Sequence, residues 1–191
     1  MNQEHINPNV RTLKPSATLA INERSAALAA EGRTIYRLGL GQSPFPVPGV
    51  VVEALRAHAH EKDYLAVRGL EALREAVAGF HRRTQGMDCE AGDVLIGPGS
   101  KELMFILQLA YAGDLVLPSP SWVSYEPQAH LIGAQAKWIP TEQGTGWLLS
   151  ASDLAACCAA DPDRRRLLIL NYPNNPTGTT YGAEALEEIA E

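Results

Sequence analysis

Cysteine is scarce in this chain. Cys89, Cys157 and Cys158 are the only three. An odd count with two neighbours shows no disulfide framework, and no CxxC pair suggests zinc or any other metal site. Buried thiols in a reducing compartment fit best. Long apolar runs are lacking too: none approaches the roughly 20 residues needed to span a bilayer. The opening MNQEHINPNVRTLK has no apolar core, so it does not read as a signal peptide. A soluble, cytoplasmic protein is expected. Positive charge is not in surplus either. The net charge of −6 argues against non-specific nucleic-acid binding, which wants a basic face. The one basic run, Arg164-Arg165-Arg166, precedes a strand-like segment and reads as a solvated edge.

What is present is an ordinary globular composition. Apolar residues make up 46% of the 191, enough for the core of one sizeable domain. Residues 1–16 read as an irregular arm. Helical patterns are expected over 17–31, 50–60 and 69–83, the last from Leu70, Leu73, Val77 and Phe80. Between the first two lie a short strand, 34–38, and a Gly/Pro-rich loop, 39-GLGQSPFPVP-48. From residue 93 the rhythm is regular. Strands are expected over 93–96, 114–117, 136–140 and 166–170. Helices are expected over 100–111, 121–131, 152–160 and 183–190. The first of these helices is apolar enough to be buried, and Ser152 or Asp153 is the N-cap expected of the third. Alternating strands and helices of these lengths indicate an α/β domain with a mainly parallel sheet. The boundary falls near residue 46.

Three loops carry chemistry. The first, 97-GPGSKEL-103, joins a strand to a helix through two glycines and a serine. Open backbone N–H groups and a hydroxyl at a helix start can cradle a phosphate. It lacks the P-loop spacing and the third glycine of a dinucleotide fingerprint. Alone, it reads rather as a capped glycine turn without a ligand. The second, 118-PSPSWVSY-125, follows a strand end, where ligands of open α/β sheets collect. Trp122 there is either a stacking platform for a flat ring or a core tryptophan. The third is 171-NYPNNPTGTTY-181. The Asn175 amide can donate to a phenolate-like oxygen and favour its ionised form. The alternative is a plain Asn-Pro turn. All three follow strands of one sheet, so their loops are expected at one sheet edge. A phosphate cradle, a stacking indole and an amide donor describe a pocket for a phosphorylated aromatic cofactor. Pyridoxal 5′-phosphate has those three handles.

Six segments, in order, resemble the class I/II aminotransferases, the fold-type I enzymes that use pyridoxal phosphate, and among them the aspartate/aromatic group. They are 14-KPSATLAINE-23, 39-GLGQSPF-45, 63-DYLAVRGLEALREAV-77, 97-GPGSKELMF-105, 118-PSPSWVSY-125 and 171-NYPNNPTG-178. The resemblance implies a three-layer α/β/α fold with a mainly parallel sheet, here incomplete. It implies an arm and small-domain segment over 1–45 and the first part of the large cofactor domain over 46–191. By the same resemblance Gly99, Ser100 and Lys101 hold the phosphate, Lys101 mainly through its backbone N–H. Trp122 stacks on the pyridine ring and Asn175 bonds its 3-hydroxyl oxygen. Gly41 lets the substrate carboxylate approach the backbone. Tyr64 reaches the phosphate bound in a partner subunit, which implies a homodimer. Ser119–Pro120 and Asn175–Pro176 are expected as cis bonds. The implied activity is amino transfer from an L-amino acid to a 2-oxo acid.

One departure is large. The family's Schiff-base lysine, its aspartate at the pyridine nitrogen and its carboxylate-binding arginine all follow the NPTG motif. The lysines here are Lys14, Lys62, Lys101 and Lys137, and none has that lysine's context. The chain is therefore expected to be the N-terminal part of an aminotransferase, truncated and inactive alone. The alternatives are a catalytically silent binding or dimerisation module and a carbon–sulfur lyase of the same fold. Trp122, where such lyases more often carry tyrosine, leans towards transfer.

Overall fold

The computed structural model describes residues 5–36, 38–39, 41 and 43–191. In chain order the elements are α1 (Pro8–Arg11), α2 (Ala17–Ala30), α3 (Gly49–His58), α4 (Glu71–Gln85), α5 (Ser100–Ala110), β1 (Asp114–Ser119), α6 (Tyr125–Leu131), β2 (Ala136–Pro140), α7 (Ala151–Ala159), β3 (Arg166–Leu168) and α8 (Ala183–Ala190). They divide into two compact units, residues 24–100 and residues 1–23 with 101–191.

The unit of 1–23 and 101–191 holds a three-stranded sheet in the order β2-β1-β3, parallel throughout. Alternation along β1 sends its side chains to two faces. Leu115 and Leu117 meet Tyr125 and Ala129 of α6, with Met104 of α5 and Trp122 packed against them. Val116 points the other way, to Ile139 and Leu149, with Leu154 and Cys157 of α7. Helices thus cover both faces, the three-layer arrangement the sequence implies. The sheet is one strand deep on either side of β1, so β1 carries the buried core.

β1 opens on a tight junction. A Cβ at Gly113 would lie 2.7 Å from the Arg165 carbonyl oxygen and 2.7 Å from the Tyr111 ring, so only glycine fits there. Asp114 follows, 2% exposed. Its carboxylate accepts from Arg164 at 2.6 Å and pairs with Lys137 at 3.4 Å. The arginine run is therefore not simply a solvated edge: Arg164 partners a buried charge. The Arg164 bond holds the Asp114 carboxyl below its ordinary range, against the opposing effect of burial.

The unit of 24–100 is built on α3 and α4. Helix α4 ends on Gly86 in the left-handed region, a common helix stop. Gly69 turns the chain at φ +93°, and a Cβ there would strike Ile96 at 2.5 Å. Arg68, whose role the sequence leaves open, ties this turn down. Its side chain donates to the Gly92 carbonyl and its own carbonyl accepts from Ile96.

Several expectations are corrected. Residues 93–96 are not a strand. Ala91–Asp93 form a 3₁₀ turn closed by Val94 N–H to the Ala91 carbonyl, and 94–96 make one long-range backbone bond, Ile96 to Arg68, where a ladder needs several. Residues 34–36 and 38 pair with no strand among the described residues, and Arg37 lies outside them, as do Leu40 and Gln42 of the glycine loop. Helix α5 is not buried. Ile106, Leu107 and Leu109 are exposed, and its one buried residue is Gln108. The N-cap of α7 is Ser150, whose hydroxyl accepts from the Asp153 N–H, rather than Ser152 or Asp153. Helix α6 starts four residues late because Ser121 bonds the Pro118 carbonyl and extends the preceding loop.

Candidate functional site

Strands β1 and β3 are direct parallel neighbours, so the loops that follow them leave the sheet in the same direction. The loop after β1 carries Trp122, and the loop after β3 carries Asn175. The peptide bonds Ser119–Pro120, Tyr172–Pro173 and Asn175–Pro176 are cis, the first and last as expected. Asn174 ties the two loops together: its side-chain amide donates to the Pro120 carbonyl at 3.2 Å and to Thr177 Oγ1 at 2.9 Å. The same loop closes on itself through Asn174 N to the Thr179 carbonyl and Gly178 N to the Asn174 carbonyl. Gly178 takes φ +74°, which suits glycine. Two of the three chemistry-bearing loops therefore converge on one sheet edge.

Asn174 and Asn175 differ in what they are free to do. Asn174 is committed to the scaffold. The Asn175 amide is exposed and has no hydrogen-bond partner among the described residues. It is thus available to a ligand oxygen. Sequence reading singled out Asn175 and missed Asn174, whose pairing with Pro120 spans 54 positions and leaves no local signal.

Trp122 packs partly into the core. It is half-buried, packed on the Leu115–Leu117 cluster and edge-on to Tyr125 at 5.4 Å between centroids. Burial pushes the Tyr125 hydroxyl above its ordinary range. The Lys101 ammonium stands 5.6 Å from the Trp122 ring centroid. The indole thus packs nearly perpendicular to Tyr125 and has a cation over its ring.

Gly99, Ser100 and Lys101 run into the first turn of α5. Gly99 has φ +99°, and nothing lies within 4 Å of where its Cβ would be. Ser100 and Lys101 are exposed, and first-turn N–H groups have no intrahelical partner. These are the features a phosphate cradle needs. Gly41 and Tyr64 belong to the 24–100 unit. Both are exposed, Tyr64 fully so at 105%.

A groove of about 720 Å³ opens within the unit of 1–23 and 101–191. Lys14, Ser16, Lys101, Val123 and His130 are among its lining. The arm that forms one wall is latched to α6. Asn9 donates to the Leu131 carbonyl, and Thr12 bonds His130 Nε2 at 2.7 Å. Glu126 is the one carboxylate on the lining among the described residues. No group of three or more possible metal ligands occurs among the described residues. No helix there is long and apolar enough to cross a membrane.

An available amide, a ring platform and open first-turn N–H groups fit pyridoxal phosphate. Comparison with known proteins points the same way. The family model described as "Aminotransferase class I and II" matches residues 33–191. A probable aspartate/prephenate aminotransferase of Aquifex aeolicus is 32% identical over 187 residues, which is 95% of this chain and 47% of that protein. The crystal structure of the aspartate aminotransferase from Rhizobium meliloti superposes with a TM-score of 0.89 at 28% identity, covering 97% of this chain and 47% of that one. The Thermus thermophilus aspartate aminotransferase with maleate gives 0.87 at 31% identity, covering 97% and 49%. The chain spans about half the length of the curated relatives it matches. With most of its length matched by the family model, the chain belongs to the aminotransferase class I and II family.

Proposed function

We propose that this chain is the N-terminal portion of a pyridoxal-phosphate-dependent aminotransferase, which moves an amino group from an L-amino acid to a 2-oxo acid. The observation that carries the reading is the Asn174–Pro120 tie. It holds together the loops of adjacent parallel strands that carry Trp122 and the Asn175 amide, which has no partner among the described residues. In this reading Gly99, Ser100 and the Lys101 N–H hold the phosphate, and Trp122 supports the pyridine ring. The Asn175 amide donates to the ring 3-oxygen and keeps it ionised. Gly41 admits the substrate carboxylate. Tyr64, fully exposed, serves a site in a second subunit, so the protein works as a homodimer. Residues 1–45 form the arm and small-domain segment, and 46–191 the first part of the large domain. The cofactor supplies an electron sink for the substrate α-carbon.

An acidic amino donor suits the groove, which among the described residues carries Lys14 and Lys101 against Glu126. The curated relatives are named for aspartate, which agrees with that choice. None of Lys14, Lys62, Lys101 and Lys137 has the context of the cofactor-anchoring lysine, so the chain binds cofactor without turning over. The test is direct. The purified chain is titrated calorimetrically with pyridoxamine 5′-phosphate, which cannot condense with surface lysines. Saturable one-to-one binding that is lost in Asn175→Ala or Trp122→Ala supports the reading. Absence of binding by the native chain overturns it.

A further inference from the structure

We infer that Gln128, oriented by Gln108, is a positioning residue for the phosphate end of the site, acting through the carbonyl of Lys101. This rests on the pyridoxal-phosphate reading above.

Glutamine is seldom fully buried, because its amide loses water and its long side chain loses rotamers. Here two are buried together, Gln108 at 4% exposure and Gln128 at 7%. They face one another between α5 and α6. Gln128 Nε2 donates to the Lys101 carbonyl at 2.7 Å. Gln108 Nε2 donates to Gln128 Oε1 at 3.0 Å and to the Met104 carbonyl at 3.3 Å. Lys101, Met104 and Gln108 sit three and four residues apart on α5, hence on one helix face.

The direction of this relay is dictated from one end. A carbonyl only accepts, so Gln128 must turn its NH₂ to Lys101. Its oxygen then faces Gln108, which must present NH₂ in turn. The consequence is visible: Gln108 Oε1 is left buried with no partner among the described residues. Turning the Gln108 amide over would set oxygen against oxygen. The fold keeps an unsatisfied acceptor so that the Lys101 carbonyl gains a second bond.

An α-helix does not need that bond, since its first-turn carbonyls already accept from residues four ahead. What the bond adds is a fixed offset between the first turn of α5 and α6. Helix α6 is anchored in the core by Tyr125 and Ala129, and Tyr125 packs nearly perpendicular against Trp122. One route of contacts therefore runs from the Lys101 peptide to the indole that carries the ring. It sets the spacing between two handles of one rigid ligand.

The experiment compares pyridoxamine 5′-phosphate with pyridoxamine by calorimetry on the purified protein. The ratio of the two affinities isolates the phosphate. Gln128→Met keeps the volume and removes the donor. It is expected to reduce that ratio about three- to tenfold, the scale of one hydrogen bond, leaving pyridoxamine affinity unchanged. Gln108→Met, which leaves Gln128 in place but unoriented, is expected to reduce it less. A purely structural pair would weaken both ligands equally, or neither, in both variants, and that result overturns the inference. If the native protein shows no preference for the phosphorylated ligand, the pyridoxal-phosphate reading itself falls. Should Gln128→Met fail to fold, the Gln108→Met ratio alone decides.

Discussion

At the residue scale the sequence was most informative where the chemistry is local, as at the Asn-Pro loop, and least where partners are distant. Asn174 is the sharpest case. Asn174→Ala removes the tie between the two loops and is expected to weaken pyridoxamine 5′-phosphate about tenfold while shifting the melting temperature little, as the loop is exposed on one side. Calorimetry and thermal unfolding of the same sample check both halves. Asp114 gives a pH prediction. Its carboxyl is held below the usual range by Arg164, so the pairing stabilises the fold fully above the unfolded value of about 3.9. That contribution is lost as pH falls through the lower, folded value. Denaturant midpoints followed from pH 7 to pH 2 are expected to decline below about pH 4, and less steeply in Asp114→Asn. At neutral pH that variant is expected to cost about 1–2 kcal/mol, since its arginine partner is half exposed and stays hydrated.

At the element scale, helices were legible from their periodicity, and the strands of the β1–β3 sheet from short apolar runs between turn residues. The misses have a common physical cause. A strand is defined by its neighbour, and neither 34–38 nor 93–96 has a neighbouring strand among the described residues. The apolar face of α5 likewise reads as buried, yet burial depends on what lies opposite. Gly113 could not be picked out from sequence either, because its need comes from the Arg165 carbonyl of the incoming β3. Gly113→Ala is expected to destabilise the chain by about 1–3 kcal/mol through overpacking at the β1–β3 junction. Ser150→Ala, removing the cap of α7, is expected to cost about 1 kcal/mol. Chemical denaturation measures both, and the order of the two effects is itself a check.

At the scale of the whole molecule, the order of motifs gave the family, and the fold followed from it. The groove was less legible. The lysine pair of the groove brings together residues 14 and 101, which no sequence pattern links. Exposed apolar residues on α3 (Val50, Val51, Leu55) and on α5 (Ile106, Leu107, Leu109) are unusual in a folded chain. The chain alone is expected to bind a hydrophobic dye such as anilinonaphthalene sulfonate strongly, and a protein of the relatives' full length to bind it weakly. Fluorescence on the two samples side by side decides this.

The Asn174–Pro120 bond has a consequence for refolding. It joins loops that leave β1 and β3, so it forms only when Asp114 faces Arg166 and Val116 faces Leu168. A slip of one residue would exchange the sheet faces of Ile169 and Leu170, and a slip of two would carry Asn175 about 6.6 Å along the edge. Ligand uptake after dilution from denaturant therefore serves as a gauge of strand alignment. Molecules that regain helix content with the wrong alignment stay invisible to circular dichroism but fail to take up the ligand.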